Sequence, residues 1–374
     1  MQNQVAITGL ALASTFGHGL PRLANAINQK RRGMHFAHRF QEWIVAPLAE
    51  LPIAELGLTE PRPAHSDALM RQLSLQLIDE LNQETGVFKR YQAKNIGLFI
   101  GTTTSGIDGF FSSLTTLEST KKPLLSPPMQ QTWIGEQIRR NFPIAGPCLT
   151  FSSSCAAAAQ ALAQAFDCVR AGIIPAAIVG GIDLLNLVTI HGFECLQILD
   201  HDYCEPFSPH RKGINLGEGA AFFVLEAQAN GPILASLRGY GAVTEAFNMT
   251  LPSPGGPWMR LAMEKALESA GILASDISYI NAHGTGTIPN DAAESSAMEA
   301  IFSPQSVIEA TKRYTGHTLG ATGALELAIC MAKLEECKYS ARAQGIFLNP
   351  AFALSNSFGF GGSNLSLVIS GGEP

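Results

Sequence analysis

Two rhythms of apolar residues alternate along this chain. Continuous apolar runs occupy residues 5–8, 96–100, 149–151, 176–179, 277–282, 307–310, 352–355 and 365–370. Each is short and bounded by glycine or polar residues, which predicts a buried strand. Other stretches repeat apolar residues every three or four positions. Residues 66–83 place Leu69, Met70, Leu73, Leu77, Ile78 and Leu81 on one face behind an acidic start at Asp67, which predicts an amphipathic helix. Residues 258–270 do the same with Leu261, Ala262, Ala266 and Leu267. Residues 291–302 open with acids, and a further helix is expected from about Leu319 into Met331. Gly180 and Gly181 are expected to close the strand at 176–179, and residues 206–226 read as a glycine-punctuated turn followed by a strand. Strands alternating with helices predict an α/β fold with a mostly buried sheet.

One stretch combines both rhythms. Residues 148–172 read CLTFSSSCAAAAQALAQAFDCVRAG. A strand-type run is followed by Ser152, Ser153 and Ser154, then Cys155, then an alanine-rich segment of high helix propensity. Gly172 stands where a helix C-cap is expected. Cys155 therefore falls at or next to a helix N-terminus, where unpaired N–H groups and the helix dipole favour an anion. That setting predicts a lowered thiol pKa. A buried structural cysteine fits the same local pattern.

Composition narrows the alternatives. The chain has 374 residues, 46% hydrophobic and 15% charged, which implies a large core. The net charge is −6, with no long charged run, which argues against a nucleic-acid partner. Seven scattered cysteines without a Cys-x-x-Cys pair argue against a disulfide framework or a zinc site and suit a reducing compartment. The start, MQNQVAITGLALAS, has no basic segment and reads as a first strand rather than a signal peptide. No apolar run reaches the length of a membrane span, and the scattered, unpaired cysteines lead to the expectation of a cytoplasmic location.

Three polar, glycine-bearing loops follow three strands of the second half. They are NAHGTGT with His283, TKRYTGHTLGATG with Lys312 and His317, and NSFGFGGSN with Phe360. In α/β sheets ligands bind beyond the carboxyl ends of strands, so these loops and Cys155 are expected to converge. Glycines flanking Phe360 allow close backbone approach to a ligand.

Taken together, these motifs resemble those of the β-ketoacyl-acyl-carrier-protein synthase family of thiolase-fold condensing enzymes. The matching segments run from VAITGL near the start through SSSCAAAAQAL and LGEGAAFFVLE. They continue through NAHGTGT-x-x-x-D-x-x-E, K-x-x-T-G-H-x-L-G-A-T-G-A-x-E and SNSFGFGGSN. The resemblance implies a five-layered αβαβα fold of two pseudo-duplicated halves, residues 1–231 and 232–374, and a dimer with itself or with a related subunit. It implies a Cys155, His283, His317 active site, with Lys312 beside it. Cys155 and Phe360 would form an oxyanion hole, with Phe360 as a gate. Glu326 and Asp291 would be structural. Ile107, Phe358 and Gly361 would line the substrate pocket, and Lys121 and Lys122 would dock an acidic acyl carrier protein. No metal or organic cofactor is implied.

The chain also departs from the family pattern. Glu205, Ser208 and Lys212 stand where relatives carry Arg, Asp and Asp, and the segment before Phe352 is short. Ser152, Ser153, Ser154 and Asp108 are expected at a subunit contact. A chain-length-factor-like partner subunit is the alternative within the fold. A thiolase-type coenzyme A enzyme is the alternative from a different functional class, but it would need a second cysteine as base, and the His-bearing loops contain none.

Overall fold

The computed structural model describes the chain except for residues 1–3, 38–42, 49–50, 52, 57–65, 108–129, 230, 305, 344–350 and 373–374. Five strands of the first half are β1 (Val5–Ser14), β2 (Ile96–Gly101), β3 (Cys148–Phe151), β4 (Ala176–Asp183) and β5 (Gly219–Glu226). They lie in the order β3-β2-β4-β5-β1. Five more are β6 (Ala235–Thr244), β7 (Ile277–Asn281), β8 (Val307–Glu309), β9 (Phe352–Gly359) and β10 (Ser363–Gly371). Their order is β8-β7-β9-β10-β6. The second order repeats the first. So does the pattern of directions, with three parallel strands followed by antiparallel pairings. The two sheets meet where β1 pairs with β6, Val5 opposite Leu237 and Ile7 opposite Ala235.

Helices Ala157–Arg170 and Thr322–Ala343 lie between the two sheets. Helix Ser66–Thr85 covers the outer face of the first sheet, and helix Pro257–Ala270 covers that of the second, with Ile288–Glu299 beside it. The result is the five-layered, pseudo-duplicated thiolase-like architecture. Strands with helices on both faces must be apolar on both sides, which is why they read as continuous runs. On β2, Leu98 and Ile100 pack outward with Leu73 and Leu77, while Phe99 packs inward with Phe166. Each such fully buried side chain contributes about 1.5–3 kcal/mol.

Several elements differ from the sequence expectation for steric reasons. Strand β4 runs through Gly180 and Gly181 to Asp183 instead of closing at them. A Cβ on Gly181 would lie 2.7 Å from that of Ala158, and one on Gly101 only 2.2 Å from the Ala158 nitrogen. These glycines therefore let the Ala157–Arg170 helix lie against the strand ends. Helix Ile288–Glu299 starts before Asp291, because a proline is tolerated in a first turn. Leu319–Ala321 forms a 3₁₀ turn, and the α-helix begins only at Thr322 and runs to Ala343. In Pro257–Ala270, Leu261 is half-exposed, and Met259 and Met263 point inward. Strand β9 continues past Ser355 because its polar residues pair inside the protein, Ser366 Oγ donating to Asn356 Oδ1 at 2.7 Å. Strand β6 had no clear apolar run. Its Gly239 and Gly241 lie against the backbone of helix Pro257–Ala270, where side chains would not fit. Among the described residues, no helix is long and apolar enough to cross a membrane.

Candidate active site

Strand β3 ends at Phe151, and the chain turns sharply before the central helix. Ser154 adopts a left-handed conformation at φ 51°, and Cys155 follows in a single 3₁₀ turn, Ser154–Ala156. Backbone strain of this kind persists only where the surroundings hold it in place. Here strand β9 presses close. A Cβ on Gly359 would lie 3.1 Å from the Ser153 carbonyl oxygen and 3.3 Å from the amide nitrogens of Cys155 and Ala156.

His317 arrives from the loop after β8, with Nε2 2.9 Å from Cys155 Sγ. The Leu319 backbone N–H donates to His317 Nδ1 at 3.0 Å, and the Thr322 hydroxyl lies 3.1 Å from the same nitrogen. An N–H can only donate, so Nδ1 carries the lone pair and Nε2 carries the hydrogen. His283, at the end of β7, meets His317 edge-on with ring centres 5.6 Å apart. Its Nδ1 lies 3.3 Å from the Lys312 ammonium. Lys312 can only donate, so His283 too carries its hydrogen on Nε2. Burial, aided by the Lys312 charge, holds both imidazoles well below the ordinary histidine range and keeps them neutral.

Lys312 is buried at the start of a short helix, Lys312–Thr315, rather than in an open loop. Its Nζ also donates to the His283 carbonyl and to Glu326 Oε1, each at 2.6 Å. The Glu326 carboxyl is pushed up to about 7 by burial against the pull of Lys312. Glu294 accepts the backbone N–H groups of His283 and Gly284 at 2.7 and 2.8 Å. Asp291 accepts those of Phe207 and Gly286 at 2.7 and 3.2 Å. These acids fix the loop that carries His283.

The thiol differs from the local expectation. Burial pushes Cys155 up to about 12, although Lys312 and the backbone N–H groups of Cys155 and Phe360 pull it down. The helix-start effect is real but smaller than the cost of placing a thiolate in a closed apolar site. Those two backbone N–H groups favour negative charge at Sγ. Cys155, His283 and His317 bring Sγ and ring nitrogens within 4.8 Å of one another, a spacing compatible with an ion. Both rings, however, present N–H hydrogens rather than lone pairs towards this space, which suits an anionic oxygen rather than a metal.

Two cavities meet at Cys155. One, of about 150 Å³, is lined by His283, His317, Thr285, Thr287, Phe358 and Gly361 among others. The second, of about 420 Å³, is lined by Thr103, Ser154, Thr189, Gly192 and Leu319. Both reach Phe360 and Phe193, whose rings stack at 6.1 Å and stand between the two spaces. Phe193 comes from helix Leu187–Cys195, which carries no apolar stripe at helical spacing in the sequence. Ile107 is half-buried and lines neither cavity among the described residues. Lys121, Lys122 and Asp108 lie outside the described residues. Glu205 is paired with Arg32 at 3.3 Å, and Lys212 with Asp202 at 3.0 Å.

Comparison with known proteins places this geometry in context. Residues 2–230 match the β-ketoacyl synthase N-terminal domain, and residues 234–342 its C-terminal domain. Nodulation protein E of Rhizobium meliloti is 34% identical over 258 residues, 62% of this chain and 64% of its own length. The match therefore spans less than two thirds of that relative. The 3-oxoacyl-[acyl-carrier-protein] synthase 2 of Staphylococcus aureus is 31% identical over 311 residues, 74% of this chain and 77% of that one. A ketosynthase solved in complex with its chain length factor, from Xenorhabdus doucetiae, superimposes with a TM-score of 0.80 at 25% identity. That superposition covers 99% of this chain and 98% of the other.

Proposed function

The chain belongs to the β-ketoacyl synthase family, and on that footing we propose that it is a β-ketoacyl-[acyl-carrier-protein] synthase. One observation carries the reading. Two neutral imidazoles, each with its hydrogen on Nε2, lie beside one buried cysteine sulfur.

In the first half-reaction, Cys155 takes an acyl group from a carrier thioester and the carrier thiol leaves with a proton. The N–H groups of Cys155 and Phe360 hold the oxyanion of the tetrahedral intermediate. In the second, a malonyl thioester enters the smaller cavity and loses carbon dioxide. Its carbonyl oxygen becomes an enolate oxygen, to which His283 and His317 donate from Nε2. Neutral imidazoles stabilise that charge without protonating the carbanion. The carbanion attacks the acyl carbonyl and the Cys155 thiolate leaves and takes a proton from water. The product is a β-ketoacyl thioester. Lys312 holds His283 in its tautomer, and Asp291 and Glu326 are structural. Phe360, with Phe358 and Gly361, gates and lines the pocket. Nothing in this sequence of steps calls on a metal or organic cofactor.

Residues 1–231 and 232–374 are proposed as the two halves, a division that the repeated strand order supports. A cytoplasmic acyl carrier protein is the proposed partner. A homodimer or heterodimer is proposed because β3 is an edge strand among the described residues, with Leu149 44% exposed, and such an edge is a template for another chain. A purely chain-length-setting role would leave the Cys–His–His cluster unused. A thiolase role would need a second cysteine, and Cys155 alone among the described cysteines lines the cavities.

Intact-protein mass spectrometry after incubation with an acyl carrier thioester, then with its malonyl counterpart, tests this reading. An acyl adduct that disappears on malonyl addition is expected, and the absence of any adduct refutes it. Light scattering on the eluting chain tests the dimer, and a stable, active monomer refutes that part.

A further inference from the structure

Asp183 ends strand β4, fully buried, directly behind the site. Six groups donate to its carboxylate. They are the hydroxyls of Thr102, Thr103 and Thr104 at 2.7, 2.7 and 2.9 Å, the backbone N–H groups of Thr103 and Thr104 at 2.9 Å, and that of Gly320 at 2.6 Å. Three are backbone N–H groups and cannot accept, so the site is built for an ionised carboxylate. The donors come from two places that share no secondary structure. Thr103 lines the larger cavity. Gly320 belongs to the Leu319–Ala321 turn, in which Leu319 takes φ 52° and gives its N–H to His317 Nδ1. Gly320 is needed for this approach, since a Cβ there would lie 2.8 Å from Asp183 Oδ2.

We propose that Asp183 is a positioning residue for the condensation, its carboxylate tying Thr103 of the larger cavity, together with the neighbouring Thr102 and Thr104, to the turn that sets the tautomer and place of His317 beside Cys155. One anchor thus governs two features that must agree, the space for the acyl chain and the donor facing its thioester. The negative charge has a second consequence. It opposes ionisation of Cys155 and adds to the effect of burial. Asp183 therefore helps to keep the resting thiol protonated until a substrate arrives.

The proposal rests on the condensation reading, but its test has an arm that needs no acyl substrate. In Asp183→Asn, whichever way the amide turns, an NH₂ group faces N–H or O–H donors, and the charge is gone. Condensation kcat is expected to fall roughly 10- to 100-fold, the cost of a displaced catalytic group. Alkylation of Cys155 by iodoacetamide is expected to become several-fold faster at a fixed pH, its pH profile moving to lower pH. Local loosening would also expose the thiol and speed alkylation, so the charge effect is read against Thr103→Val and Gly320→Ala, which keep the carboxylate and in which the alkylation profile is expected to stay put. Wild-type kcat with an unmoved profile overturns the proposal. So does a fall in kcat with an unmoved profile, which would reduce Asp183 to a structural anchor. If Asp183→Asn does not fold, Thr103→Val and Gly320→Ala take its place. Each is expected to lower kcat several-fold while the alkylation profile stays put, and unchanged kcat in both overturns the proposal. If the wild-type chain does not condense at all, the proposed function fails on its own, and the Asp183→Asn alkylation profile still reports on the charge.

Discussion

The Lys312 ammonium gives one hydrogen to His283 Nδ1 at 3.3 Å, one to the His283 carbonyl and one to Glu326, the last two at 2.6 Å. All three of its donors are used, and the residue is 1% exposed. Lys312 is thus a fixed charge that orients a neutral imidazole and is itself balanced by a buried acid.

Removing it has two separable effects. Lys312→Met frees His283 to change tautomer, so decarboxylation of the malonyl thioester is expected to slow by roughly 100-fold, within the range for a mispositioned donor, while acyl transfer to Cys155 persists. The variant also leaves Glu326 buried without its cation, at a cost of about 3–5 kcal/mol. Adding Glu326→Gln is expected to restore most of the denaturation midpoint and none of the decarboxylation. Restored activity in the double variant would show that Lys312 acts only through stability.

The nucleophile has its own pH signature. The folded thiol lies near 12, above the ordinary cysteine value of about 8.5. Below that value each pH unit multiplies the thiolate fraction about tenfold, so alkylation of Cys155 is expected to keep climbing from pH 7 to pH 10. A plateau near pH 8 or 9 would mean an ordinary or activated thiol and would contradict the burial argument. Peptide mass spectrometry separates Cys155 from the exposed Cys195. Cys155→Ala is expected to abolish acyl uptake, and acylation persisting elsewhere would overturn the assignment.

Chain length provides a third test. Ile107 is half-buried a few residues beyond Thr103, which lines the larger cavity. Ile107 lines neither cavity of the free chain, so it bears on chain length if a long acyl chain extends the space past Thr103. Ile107→Phe is then expected to shorten the longest acyl chain accepted, because an overpacked site relaxes poorly at a cost of about 1–3 kcal/mol. An unaltered chain-length profile would place the end of the tunnel elsewhere.

Carrier docking provides the fourth. Glu205 is paired with Arg32, so that surface adds little attraction for an acidic partner. Lys121 and Lys122 are expected to carry it. Changing both to Glu is expected to raise the carrier KM several-fold and flatten its dependence on salt, as for electrostatic steering. Unchanged kinetics at low salt would exclude these two lysines.

Local sequence was sufficient for much of this protein. Strands buried on both faces must be continuously apolar, so residues 96–100 and 277–282 were legible without knowledge of their neighbours. Residues 148–172 announced a strand, a turn, a cysteine and a helix, because propensity and glycine placement act over a few residues. The motifs also marked His283, Lys312, His317 and Phe360 one by one. Tertiary structure decided the rest. The helix-start argument for Cys155 is local and pointed to a low thiol pKa, and burial by distant chain segments reversed it. The histidine tautomers depend on Leu319 and Lys312 arriving at particular nitrogens. Asp183 lies beyond the strand end that Gly180 and Gly181 suggest, and nothing in its local sequence marks it. Its donor from Gly320 lies 137 residues away, and only the packing of the central layer brings the two together. Protonation and hydrogen-bond direction depend on the whole environment of a group, whereas strand and helix rhythm depends mainly on its chain neighbours.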